Sequence, residues 1–158
     1  MKKIINALSV LMVSAVLLTF AACSNPSSSG SGDGSGQGGI SYDGTEYTAV
    51  FNISPYMTGT YYTGDELLYI MLDGVDKWEI GSYSLPVPEM NNQRFSFPTC
   101  KGTYTTDGET SIVLSKTHHM HKSGWQEENI PTWKTCELKD NTTKLVLKFK
   151  KGEIDVKD

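Results

Sequence analysis

The chain holds only three cysteines and three histidines in 158 residues. No pair of cysteines stands in a C-x-x-C spacing, so a dithiol redox motif is excluded. No G-x-S-x-G elbow, P-loop, H-E-x-x-H helix or zinc-finger spacing occurs, and no Ser/His/Asp set stands out. Catalysis therefore has no motif to rest on, and the chain is expected not to be an enzyme. Positive charge is also scarce. Two of the 14 basic residues, Lys2 and Lys3, precede the first apolar run; without them, 12 basic residues face 18 acidic ones, a net charge of −6. Nucleic acid is excluded as a partner, because phosphate binding needs clustered cations that displace counterions. The one basic cluster, Lys144, Lys148, Lys150 and Lys151, reads as a solvated strand face. Finally, no unbroken apolar run reaches the roughly 20 residues of a spanning helix.

What is present begins with Met1-Lys2-Lys3, followed by an apolar run from Ile4 to Phe20 broken by Asn6, Ser9, Ser14 and Thr19. Small residues Ala21 and Ala22 then lead to Cys23. This is the n-region, h-region and small-residue order of an export signal. Phe20-Ala21-Ala22-Cys23 resembles the lipobox of bacterial lipoproteins, with Phe20 where Leu is more usual. The resemblance implies cleavage before Cys23 and lipidation of its thiol. Residues 1–22 are then a signal peptide, and the mature chain is anchored to a membrane of the bacterial cell envelope, at the outer surface or a periplasmic face. Two or more acyl chains make such an anchor stable where one does not.

Residues 23–39 read as the lipidated cysteine and a tether. Ser24–Gly39 contains six Ser and six Gly among 16 residues and no aliphatic or aromatic side chain. Such a segment cannot offset its ordering entropy by burial. A flexible coil of this length spans on the order of 20–25 Å. Gly34-Ser35-Gly36-Gln37-Gly38-Gly39 matches G-x-G-x-x-G by composition alone, since no strand precedes it and no helix follows.

From residue 40 to 158 the pattern changes to short alternating runs. Tyr47, Ala49, Phe51 and Ile53 alternate with polar or smaller residues, as do Trp78 and Ile80, Phe95 and Phe97, and Leu145, Leu147 and Phe149. Period-2 alternation marks strands with one buried face. Turn dipeptides separate them: Asp43-Gly44, Asp73-Gly74, Asn91-Asn92, Asp107-Gly108, Asp140-Asn141 and Lys151-Gly152. Asp107-Gly108 is the clearest hairpin signal. Leu67–Leu72 is apolar on both faces and follows a capping-box pattern, Thr63-Gly64-Asp65-Glu66. It reads as a central strand, with a short helix ending at Gly74 as the alternative. The whole predicts an all-β fold, a small antiparallel up-and-down barrel of about eight strands.

Gly59-Thr60-Tyr61 resembles the Gly-x-Trp opening of lipocalin-like domains, with Tyr for Trp, and Lys101-Gly102-Thr103-Tyr104 repeats it. Over roughly Tyr56 to Phe149 the chain is similar to small lipocalin-like lipoproteins of the spirochaete type. The resemblance implies a closed barrel whose interior is either filled by side chains or open to a small apolar ligand.

With Cys23 acylated, Cys100 and Cys136 remain as an even pair in an exported protein, which predicts a disulfide. The histidines fall together in Thr117-His118-His119-Met120-His121. On a strand His119 and His121 share one face and His118 the other. Imidazoles at this spacing can ligate zinc or copper, with Glu127 or Glu128 as a third ligand; the alternative is a His-rich strand end. The stretch through Trp125 and Trp133 reads as the longest loop. Three functions stay open: a monomeric binding domain for a small apolar ligand, a solid-barrel module that meets a host or envelope protein through loops at Leu85–Met90 and Lys122–Pro131, and a metal-binding lipoprotein.

Overall fold

A computed structural model describes residues 39–158; Cys23, the signal peptide and most of the tether lie outside the described residues. Nine strands follow: β1 Ile40–Tyr42, β2 Tyr47–Asn52, β3 Thr58–Tyr62, β4 Leu68–Asp73, β5 Lys77–Tyr83, β6 Ser96–Thr106, β7 Ser111–His121, β8 Gly124–Lys139 and β9 Lys144–Phe149. All neighbours pair antiparallel in one sheet of order β1-β2-β9-β8-β7-β6-β5-β4-β3. The run from β3 to β9 is thus an uninterrupted meander, and β2 closes against β9. The sheet curls into a half-barrel until Phe51 and Thr63 meet in an antiparallel bridge. The all-β expectation holds, with nine strands rather than about eight.

Side-chain alternation sets the inside. Ala49 and Phe51 of β2, Leu68, Ile70 and Leu72 of β4, and Trp78 and Ile80 of β5 point inward. They pack with Ile112 and Leu114 of β7 and Leu145, Leu147 and Phe149 of β9 in one continuous cluster. Each fully buried aliphatic or aromatic side chain contributes about 1.5–3 kcal/mol. Leu68–Leu72 proves to be strand, with Leu67 still in the turn before it: the predicted capping-box residues instead build the β3–β4 turn, where the Asp65 carboxylate accepts from the Thr63 hydroxyl and the Leu67 N–H.

Three hairpins use the same device. Asp43, Asp73 and Asp107 each fold a carboxylate oxygen back onto the N–H groups two and three residues on, at 2.8–3.0 Å. The carboxylate satisfies donors that the turn takes out of the ladder. Gly108 supplies the positive φ of +79° that follows Asp107.

Bulges explain where the simple alternation fails. Lys101 pairs His118 while Gly102 pairs Lys116, so Thr117 is the extra residue of β7. One extra residue flips every side chain beyond it to the other face. Ile112, Leu114 and Lys116 point inward, and after the bulge it is His119, not His118, that does so. β8 carries two more irregularities opposite Ser115 and Thr117. They absorb Pro131, which has no N–H for a ladder. The predicted long loop through Trp125 and Trp133 is therefore corrected to a 16-residue strand.

Candidate functional site

The outer face of β3–β6 carries an unusual set of side chains for a solvated sheet. Register places Thr60, Met71 and Glu79 in one cross-strand row and Tyr62, Tyr69 and Gly81 in the next. Tyr83 and Ser96 continue the face. This accounts for the doubly apolar β4: Leu68, Ile70 and Leu72 serve the core, while Tyr69 and Met71 serve the outside. Gly81 is the floor. A Cβ there would lie 2.2 Å from the Phe97 carbonyl and 2.8 Å from the Tyr69 ring, so only glycine lets Tyr69 lie flat. Tyr69 is consequently buried although it faces outward.

Tyr62 and Tyr83 rest against each other with ring centroids 5.0 Å apart and planes tilted by 43°. The Tyr69 hydroxyl donates to Glu79 at 2.9 Å. Burial, then the Glu79 carboxylate, pushes the Tyr69 phenol well above its ordinary range; burial and Tyr83 raise that of Tyr62. Both therefore stay neutral donors at any ordinary pH. Arg94 stands 5.4 Å over the Tyr83 ring and pairs with Glu66, which neutralises the edge. These residues line an open depression of about 350 Å³. A second, of about 290 Å³, lies where β2 and β3 diverge, lined by Asn52, Tyr61 and Glu66 among others; Thr60 and Tyr62 border both. The Ser84–Phe95 connection rises beside the first and exposes Leu85 and Met90, one of the two predicted recognition loops.

The sequence-predicted polar residues gather elsewhere, inside the sheet. His119 is fully buried, and its Nε2 donates to the Asp155 carbonyl at 2.7 Å. A carbonyl only accepts, so Nε2 carries the proton. Lys116, also buried, bridges: its ammonium donates to Glu128 at 2.9 Å and lies 3.3 Å from His119 Nδ1, which is itself 3.0 Å from the same Glu128 oxygen. Lys157 reaches the same carboxylate at 3.1 and 3.2 Å. Burial lowers the His119 pKa, and the two lysines add to it. The Asp155 carbonyl and the Glu128 carboxylate pull the other way without prevailing. Burial works against ionised Glu128, yet the hydrogen bonds from Lys116 and Lys157 hold it down at about 2. The cluster is thus two ammonium groups around one carboxylate, with a neutral imidazole.

This arrangement fastens the C-terminal segment. Ile154 joins the core, the Lys157 N–H donates to the Met120 carbonyl at 2.9 Å, and Lys157 forms a parallel bridge with His121. Aliphatic stems matter as well: Lys116 lies over Trp133, which stacks on Trp78 at 5.2 Å.

His119 and His121 do share a face, with ring centroids 5.9 Å apart. Both nitrogens of His119 are engaged, His121 Nδ1 faces the Asp158 carbonyl, and His118 turns away to Thr117. Glu127 is exposed, and only Glu128 reaches the cluster. Among the described residues, no three His, Cys, Asp or Glu side chains are grouped to hold a metal ion.

The expected disulfide is also corrected. Cys100 and Cys136 are free, buried thiols. Cys136 pairs with Ile112, which pairs with Thr106, six residues along β6 from Cys100. That is two strands across and roughly 20 Å along the sheet, far beyond the ~7 Å limit between bridged Cα atoms. Burial pushes both thiols up to about 12. Cys100 Sγ lies 3.7 Å from Nδ1 and 3.9 Å from Nε2 of His119, and its thiol donates to the Glu153 carbonyl at 3.7 Å.

Sequence reasoning missed the tyrosine face and Lys116. The face was signalled by Tyr69 and Met71 interleaving with core residues in a strand apolar on both sides. No family model matches the chain, and no curated protein and no solved structure matches it.

Proposed function

We propose that the chain is a non-catalytic binding domain of the lipocalin-like kind, held in the cell envelope by a lipid on Cys23, and that it meets its partner with the outer face of β3–β6. The observation that carries this reading is the division of labour in β4. Its inner residues belong to a continuous packed cluster, while its outer residues line an open aromatic depression. The two depressions are open to solvent. Concave, aromatic surfaces with a few convergent polar groups are what binding sites are made of. A small apolar ligand inside the barrel would need space that Phe51, Trp78, Ile80 and Leu114 occupy.

Native mass spectrometry of the domain from Gly36 onward tests the interior half of this reading. That segment is a compact unit that contains the whole core. The expected native mass equals that of the bare polypeptide. A lipid-sized excess lost on denaturation would restore the interior-ligand alternative.

A further inference from the structure

Resting on that reading of the outer face, we propose that the depression around Tyr62 and Tyr83, with buried Tyr69 beneath it, binds a neutral oligosaccharide. The argument begins with the rings. At 5.0 Å between centroids, Tyr62 and Tyr83 leave no gap for a group to enter between them, so they offer a surface rather than a cage. A cationic ligand wants rings on several sides of it; a pyranose wants one aromatic surface under its C–H face.

The rim supplies the second requirement of a sugar, hydrogen-bonding groups around its edge. Thr60, Glu79, Arg94 and Ser96 stand around the depression. The Tyr69 hydroxyl fixes Glu79, and Glu66 fixes Arg94 over Tyr83, so two planar polar groups are oriented before anything binds. Pre-orientation lowers the entropy cost of each hydrogen bond to a ligand hydroxyl.

Charge narrows the class. Arg94 is matched by Glu66, and the remaining charge in the depression is the Glu79 carboxylate, so a polyanionic glycan gains nothing here. Size narrows it further. About 350 Å³ lies at the small-molecule end of binding sites. Thr60 and Tyr62 border both this depression and the second one, so a chain of sugars that leaves the first across β3 meets the second. A protein partner needs roughly 800 Å² of contact from each side.

The test titrates the ¹⁵N-labelled domain, from Gly36 onward, with millimolar maltohexaose, cellohexaose, xylohexaose and chitohexaose in turn, followed by NMR. At least one is expected to shift the amides of Tyr62, Met71, Tyr83 and Arg94. Tyr62→Ala or Tyr83→Ala should weaken that binding about tenfold, and Tyr62→Phe, which keeps the ring, should leave it within about threefold. An unchanged spread of amide shifts confirms that each variant folds. Shifts insensitive to both alanine variants, or no shift from any of the four sugars, overturn the oligosaccharide assignment. The outer-face reading would then be judged separately by photo-crosslinking from Met71, since a protein captured there retains the face and replaces the ligand class. Sugar-induced shifts confined to the amides of core residues Ile112, Leu114 and Leu147 would refute both.

Discussion

Acidification should weaken the fold through His119 before any carboxylate is involved. The imidazole is neutral, fully buried and flanked by Lys116 and Lys157, so a proton added there would be a third positive charge around one carboxylate. Its folded pKa lies below the ordinary imidazole value of 6.5, which the unfolded chain keeps. The sign follows from proton binding. Between those two values the unfolded chain takes up a proton that the folded chain refuses, so stability falls as pH drops. It is fully present above the unfolded value, and the loss ends once pH has passed below the folded value. One proton sets the steepest slope, about 1.4 kcal/mol per pH unit. Glu128, held at about 2, acts in a separate window: its contribution is complete above 4.5 and is lost between 4.5 and about 2. The interval from pH 6.5 to 5 therefore isolates the histidine. Urea unfolding across pH 8 to 5 should show a flat region followed by a decline. His119→Gln, which can keep a donor toward the Asp155 carbonyl, should abolish the decline while costing some stability at pH 8. A decline of equal slope in both proteins, or none in the wild type, would refute the reasoning.

Further consequences concern single groups. Glu128→Gln leaves the buried Lys116 ammonium without its carboxylate. It should cost about 2–3 kcal/mol in urea unfolding, below the 3–5 kcal/mol of a fully buried pair because Glu128 is partly exposed. Gly81→Ala drives a methyl into the Phe97 carbonyl and the Tyr69 ring. The expected cost is about 1–3 kcal/mol or more, with a changed near-ultraviolet tyrosine spectrum. Cys100 and Cys136 should both react with a thiol reagent only in denaturant, and the intact mass should be the same with and without reductant. A two-hydrogen deficit that disappears on reduction would contradict the register that separates them.

Much of the sheet was legible in the sequence because its signals are local. The Asp-Gly turns fold on their own carboxylates, and Leu145-Val146-Leu147-Lys148-Phe149 needs only alternation to declare a buried face. The failures are non-local. β8 was hidden because two bulges and Pro131 break its period, so a 16-residue strand reads as loop. Lys116 gave no sign of burial; its place is set by Glu128 and Trp133, twelve and seventeen residues on. The shared face of His119 and His121 was legible in the alternation. What the pattern could not show is that the C-terminal carbonyls of Asp155 and Asp158 face their ring nitrogens. Likewise, an even pair of cysteines suggested a bridge that only the strand register rules out.

Photo-crosslinking from the outer face tests the central claim most directly. A benzophenone amino acid replaces Met71, at the middle of the aromatic depression, and in a second protein Val113, on β7 away from it. Both are expressed as the full chain in bacteria that carry out lipoprotein export. The account predicts an adduct from position 71 that disappears when Tyr62 and Tyr83 are both changed to alanine, and none from position 113. Equal labelling from the two positions, or no adduct from position 71 alongside a lipid-sized mass retained by the native domain, would contradict it.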